Sequence, residues 1–190
     1  MTKHIAIPLN DSYKLFNHGP VSIVTSAYGN QRNVMAASWT MPVDFSPAKV
    51  AVVIDKNTYT RELVDASGEF ALQFPMRKIA KLTLDVGDIS GRDTDKFSHY
   101  AIKTFPAAEI SAPLIEDCIG RLECKVIKQG AESMDVIIGE VVAAYADAEQ
   151  FIDGRWHFSA DPQKRSIHYM AGGEFYMTGE AFKTDSRYSE

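Results

Sequence analysis

The chain has 190 residues, of which 45% are hydrophobic, 11% aromatic and 24% charged. That suits one globular domain with a substantial core; it is too short for two ordinary domains, and the composition excludes a disordered, collagen-like or coiled-coil chain. Twenty Lys and Arg against twenty-five Asp and Glu leave a formal charge of -5, which argues against general nucleic-acid binding, since a phosphate backbone demands a concentrated basic surface.

In chain order, Met1-Thr2-Lys3-His4 lacks the apolar run of a signal peptide, so a cytoplasmic protein is expected. Residues 21–26 and 49–54 are rich in Val and Ile and read as strands. Gly29-Asn30 signals a turn between them, followed by a strand-like stretch at 33–38. The apolar run Val50-Ala51-Val52-Val53-Ile54 is far too short to span a membrane. Thr58-Tyr59-Thr60-Arg61-Glu62-Leu63-Val64 offers threonine caps ahead of good helix formers, with Ser67-Gly68 as its stop. Residues 69–74 alternate like a strand until Pro75. Ile79, Leu82 and Val86 then fall at helical spacing, ended by Gly87. A polar loop over 88–96 leads to a short helix at 97–100. Residues 121–126 alternate strictly between charged and apolar, the pattern of a strand with one wet face. Residues 134–145 read as a long strand buried on both faces. The aromatic tail over 167–177 is too apolar to hang in water and is expected to dock on the body or on a second subunit. Six or more strands around a helical block suggest a closed antiparallel barrel with helices over its openings.

Cys118 and Cys124 are too few for a disulfide scaffold. If they share one strand, six positions put them on the same face about 20 Å apart, beyond the roughly 7 Å a disulfide tolerates, so two reduced, half-buried thiols are expected. His4, His18, His99, His157 and His168 are scattered without metal-ligand spacing, and no metal site is expected.

The chain has no Gly-x-Ser-x-Gly elbow, no His-Glu-x-x-His, no Gly-x-Gly-x-x-Gly and no Walker loop, so the common hydrolase, dinucleotide and P-loop signatures are absent. Three features remain. Asn33-Val34-Met35-Ala36-Ala37-Ser38-Trp39 follows a strand and turn; its small residues would let a flat ligand reach the main chain, with Asn33 adding an amide and Trp39 an aromatic wall. The plainer reading is a buried strand packed under a helix. Thr58-Tyr59-Thr60-Arg61 combines hydroxyls, free helix N–H groups and a guanidinium, a receptor for a phosphate monoester, against ordinary helix capping. In Ser90-Gly91-Arg92-Asp93-Thr94-Asp95-Lys96, charges nearly cancel, yet in an acidic protein Arg61, Arg92 and Lys96 are the obvious cations for a phosphate. Together the three suit a mononucleotide with a flat aromatic head.

These segments, in this order, resemble the flavin reductase-like FMN-binding split-barrel family, flavoredoxin-type members in particular. The similarity runs from about Pro20 to Glu180 and also includes Pro20-Val21-Ser22-Ile23-Val24-Thr25-Ser26, Ser67-Gly68-Glu69-Phe70 and Ile138-Gly139-Glu140-Val141. The resemblance implies a single mainly β domain, an antiparallel split barrel with helices covering it. It also implies a homodimer with FMN near the subunit interface. Carried over by motif, residues 33–39 line the isoalloxazine, with Ser38 on its polar edge. Thr58, Thr60 and Arg61 hold the phosphate with Arg92 and Lys96, and Tyr169 or Phe175 covers the ring. The implied activity is electron transfer from a reduced nicotinamide or a redox protein, through FMN, to a flavin or protein acceptor; the alternative is a non-catalytic barrel that binds FMN or another flat ligand as a sensor or store. One departure stands out. Met134 occupies about the place of a histidine that many members carry before the strand ending in Gly139-Glu140-Val141, and by itself reads as a gap-filling core methionine.

Overall fold

The computed structural model describes residues 19–127 and 134–184; the sequence expectations on His4, His18, Glu132 and Ser133 lie outside them. Two hairpins come first: β1 (Ser22–Tyr28) with β2 (Gln31–Ala37), and β3 (Thr40–Phe45) with β4 (Ala48–Val53). Helix α1 (Tyr59–Ser67), strand β5 (Glu69–Pro75), helix α2 (Ala80–Asp88) and the single turn α3 (Lys96–His99) follow. Short strands β6 (Thr104–Phe105) and β7 (Leu114–Ile115) precede the long β8 (Cys118–Val126) and β9 (Val136–Ala146). Two small hairpins close the described chain, β10 (Phe151–Ile152) with β11 (Arg155–Trp156), and β12 (Ile167–Ala171) with β13 (Glu174–Met177).

Seven strands form one sheet in the order β2-β1-β5-β8-β9-β4-β3, with every neighbouring pair antiparallel. Its two edge strands, β2 and β3, are separated in sequence only by Ser38 and Trp39, so the sheet curls until its edges meet at that link. Across the gap, Ser22 Oγ on β1 lies 3.2 Å from Thr40 Oγ1 on β3. No ladder joins β2 to β3, so the closed barrel expected from strand counting is instead split along this seam.

Alternation along the strands divides the core in two. Val24, Val50, Val52, Phe70, Leu72, Cys124 and Ile137 point inward with Val64 of α1, which therefore stoppers one barrel opening. Thr58 caps this helix, accepting from Arg61 N at 3.3 Å, and Gly68 ends it at φ +71°, its N–H returning to the Val64 carbonyl at 2.8 Å. On the outer face Ile23 and Val34 pack against Ile79 and Val86 from the α2 region and Phe97 of α3. The segment leading through β6 and β7 is tied over β5 by buried polar contacts. Gln73 Oε1 accepts from Ile115 N at 2.7 Å, and Glu123 accepts from the Ala108 and Glu109 amides at 3.0 and 2.6 Å.

Four sequence expectations change. Strand β3 was not among the expected strands; it contains Pro42 and Asp44, which an edge strand tolerates, and the β3–β4 register shifts between them. Strand β9 is buried at Ile137 and Gly139, while Val142 and Tyr145 near its far end are exposed, so it is not covered on both faces. Cys118 and Cys124 do share β8, but Ile119 is an extra residue where Phe74 pairs with Gly120 and Pro75 with Cys118. That bulge reverses the alternation: Cys118 joins the helix-side cluster and Cys124 the barrel interior. Both thiols are fully buried rather than half-buried, and burial pushes each up to about 12. Met134 is 56% exposed and fills no core gap.

The barrel interior has no room for a side chain at Gly139. A Cβ there would stand 2.7 Å from the Phe70 ring and 3.0 Å from Cys124 Cβ, both fixed by their own ladders. Gly139→Ala is expected to lower unfolding free energy by about 1–3 kcal/mol, the range for overpacking a filled core, read as a lower urea midpoint at unchanged slope.

Candidate functional site

The head of α1 abuts β2. Asn33 of β2 is buried, and its Nδ2 donates to Thr60 Oγ1 at 2.9 Å, fixing the first helical turn against the sheet. Its Oδ1 is also buried and has no hydrogen-bond partner. The first-turn amides of Tyr59 and Thr60 precede any intrahelical acceptor, and the helix field there favours an anion. Thr58 faces the same space, its hydroxyl donating to the Asp55 carbonyl at 2.8 Å. Around this point lies a cleft of about 350 Å³, bordered by Asn33, Ala36, Thr58, Thr60, Arg92 and Lys96. The loop between α2 and α3 forms its other wall. Gly91 in that loop comes so close that a Cβ would overlap the Asn33 carboxamide and approach Tyr59 Cδ1 to 2.9 Å.

Ion pairs and rings pin the loop. Arg92 Nη1 donates to Glu62 Oε2, and its guanidinium lies 5.5 Å from the Tyr59 ring centroid. Arg32 on β2 reaches Asp95 at 3.3 Å. The Ser98 hydroxyl, and then Arg32, hold the Asp95 carboxyl below its usual value. At the base of the cleft Lys96 is only 5% exposed. Its ammonium donates to the carbonyls of Val34 at 3.0 Å and Val86 at 2.6 Å, bridging β2 to the C-terminal turn of α2. A cation is favoured at a helix C-terminus, but burial outweighs that help and pushes this amine down to about 8.

A second cleft, of about 210 Å³, shares Ala36, Gly87 and Asp88 with the first and continues along α2 to Ser38, Tyr169 and Phe175. Tyr169 and Phe175 face each other across the β12–β13 hairpin, ring centroids 5.3 Å apart. Bridges from His168 to Pro20 and from Ser166 to Met76 seat this hairpin on the body. A third cleft, about 580 Å³ and without a charged side chain in its lining, meets the second at Ser38 and runs past Trp39, Met41 and Val53.

The expected site residues thus fall into groups. Asn33, Met35, Ala36, Thr58, Thr60, Arg92 and Lys96 border the first cleft, while Ala36, Ser38, Tyr169 and Phe175 border the second. Trp39, half-exposed, borders the third. Strand alternation sends the Val34 and Ala37 side chains into the two core clusters, leaving only their main chain for a ligand. Arg61, expected at a phosphate, does not border the cleft. Its Nε donates to the Asp65 carboxylate at 2.9 and 3.0 Å, and its Nη1 to the Ile54 carbonyl at 3.0 Å. Asn33 sits at the helix head rather than beside the second cleft. Gly87, Asp88, Ser90 and Gly91 were not singled out as contacts; the glycine of Ser90-Gly91-Arg92 was the visible signal for the last. An unpaired buried acceptor, helix amides, Arg92 and a flat apolar annex fit a phosphate monoester that carries hydroxyls and a planar head.

Comparison with known proteins agrees. Residues 16–161 match the flavin reductase like domain. The chain is 40% identical over 185 residues to Escherichia coli YddH, covering 95% of this chain and 97% of YddH. It superposes with a TM-score of 0.83 on the crystal structure of an FMN-binding domain of a flavin reductase-like enzyme from Shewanella baltica, again 40% identical and covering 95% and 97% of the two chains. With flavoredoxin of Desulfovibrio vulgaris (Miyazaki F), 24% identical, the TM-score is 0.80 over 97% of each chain.

The buried Lys96 gives the site a pH signature. Its folded value, about 8, lies below the free value of 10.5. Between those limits the unfolded chain binds more protons, so this group's contribution to unfolding free energy rises with pH there. The two buried thiols act in the opposite sense above pH 9, because their folded values are raised. Subtracting Lys96→Met from the wild type cancels the thiols. Urea unfolding from pH 7.5 to 10.5 is expected to show the wild type gaining about 1–3 kcal/mol on the variant across that window.

Proposed function

Because this chain belongs to the flavin reductase-like domain family, we propose that it is an FMN-dependent oxidoreductase. It would take electrons from a reduced nicotinamide or a redox protein and pass them to a flavin or protein acceptor. The observation that carries this reading is the joined pair of clefts. One is an anion receptor at the head of α1, and it opens at Ala36, Gly87 and Asp88 onto an apolar slot bordered by Tyr169 and Phe175.

FMN, when bound, supplies the hydride and single-electron chemistry; the protein supplies position and field. Thr58, Thr60, the first-turn amides and Arg92 would hold the phosphate, with Lys96 lending positive charge nearby. Asn33 Oδ1, unpaired and buried, would accept from a ribityl hydroxyl, the donor that a phosphate at neutral pH lacks. Small side chains at Ala36 and Ser38 would let the ring reach the main chain, and Tyr169 and Phe175 would keep water from it. Arg61 acts indirectly, anchoring α1 to Ile54. The uncharged third cleft touches the ring slot at Ser38 and gives an apolar reactant a place beside it.

The exposed edge beside the seam supports a homodimer. β3 is an edge strand, and Met41, Val43 and Phe45 on it are 60%, 45% and 97% exposed, with Trp39 just before it 50% exposed, an aggregation hazard unless a second copy covers it.

Three experiments test these readings. Purified protein, or protein mixed with FMN, is expected to be yellow, and the colour to bleach on anaerobic addition of NADH, NADPH or a reduced redox protein. A protein that fails to bind FMN overturns the reading, and one that binds but never bleaches is a non-catalytic flavin barrel. Arg92→Ala is expected to weaken FMN binding about tenfold while sparing riboflavin, which lacks the phosphate. For the assembly, sedimentation of the wild type should give twice the chain mass, and Met41→Glu/Phe45→Glu should give a folded monomer.

A further inference from the structure

Arg92 is the single guanidinium bordering the α1 cleft among the described residues, and it is already engaged. Its Nη1 donates to Glu62 Oε2, while its Nη2 lies 3.5 Å from the Asn57 carbonyl, at the limit of a hydrogen bond. Glu62 stands in the first turn of α1, where the helix field favours a carboxylate as much as it favours a bound phosphate. The other cation, Lys96, already spends two of its three N–H donors on main-chain carbonyls. Asp88 sits on the rim. The receptor therefore holds Arg92 and Lys96 against Glu62 and Asp88, a balance unlike an undiluted basic pocket.

We propose that Glu62 is an internal competitor for the ligand phosphate. To meet a phosphate, Arg92 must leave Glu62 or share its fork between two anions, and the carboxylate then lies close to the incoming negative charge. Both consequences raise the free energy of the bound state without touching the ring. Glu62 thus sets how fast a phosphorylated flavin is released, and it narrows the preference for FMN over riboflavin that Arg92 creates. The pair is half-exposed, at 46% and 54%, so salt screens the effect. This inference rests on the FMN reading above.

The test uses the full chain and measures dissociation constants and release rates for FMN and riboflavin by flavin fluorescence. The proteins compared are the wild type, Glu62→Gln, Glu62→Ala, Arg92→Ala and Glu62→Gln/Arg92→Ala. Both Glu62 variants are expected to tighten FMN about two- to tenfold, mainly through slower release, with riboflavin unchanged. The gain should shrink in the Arg92→Ala background, where only carboxylate–phosphate repulsion is left, and shrink again as salt is raised. Unchanged or weaker FMN binding in both Glu62 variants overturns the proposal. So does an equal gain for riboflavin, or a gain undiminished without Arg92. If the wild type binds neither flavin, the FMN reading falls and takes this inference with it. If Arg92→Ala weakens FMN but the Glu62 variants do not differ from wild type, only the competitor role falls.

Discussion

Ser38 and Trp39 set the geometry of the whole molecule. They join β2 and β3, the outermost strands of a seven-strand order. Laid flat, six inter-strand steps of about 4.8 Å would part those strands by roughly 29 Å. Three residue steps of chain reach at most about 11 Å. The sheet has to roll up, and rolling creates an interior that Phe70, Leu72 and Val52 fill and α1 closes. It also leaves one seam where no ladder joins the two edge strands and where the β2 side carries only the small side chains of Ala36, Ala37 and Ser38.

The clefts lie along that seam for the same reason. β2 offers its outer face to α2 and α3, but at Ala36 and Ser38 too little side chain is present to fill the space beneath α2. Lys96 holds the arrangement by bridging Val34 and Val86, at the cost of burying a charge, which its lowered proton affinity records. Asn33 brings the head of α1 to the same place and leaves an acceptor without a donor. A buried polar atom left unpaired costs free energy, and this acceptor lies where the proposed ligand would bind.

Much of the fold was legible because it is local. Thr58 as a cap, Gly68 as a stop and the alternation of residues 121–126 each act within one turn or one pleat. Strand β3 was hidden because Pro42 and Asp44 are poor strand residues anywhere but at an edge. The opposed faces of Cys118 and Cys124 depend on one bulged residue, Ile119, that only the pairing of β5 with β8 reveals. The uneven burial of β9 was likewise hidden, since a run of apolar residues does not say how far a neighbouring strand accompanies it.

By itself the sequence pointed to the class of ligand and offered the pieces proposed to meet it: hydroxyls at a helix head, a small-residue strand, a basic loop and aromatic tail residues. These are matters of residue type and near spacing, which a chain carries openly. Tertiary structure decided which cation is available. Arg61 and Arg92 look equivalent in a linear reading, yet Asp65, one helical turn on, engages Arg61, while the α2–α3 loop carries Arg92 to the cleft opposite Glu62. Charge partners across 30 residues are set by how elements pack, and Coulomb attraction falls with distance in space rather than along the chain.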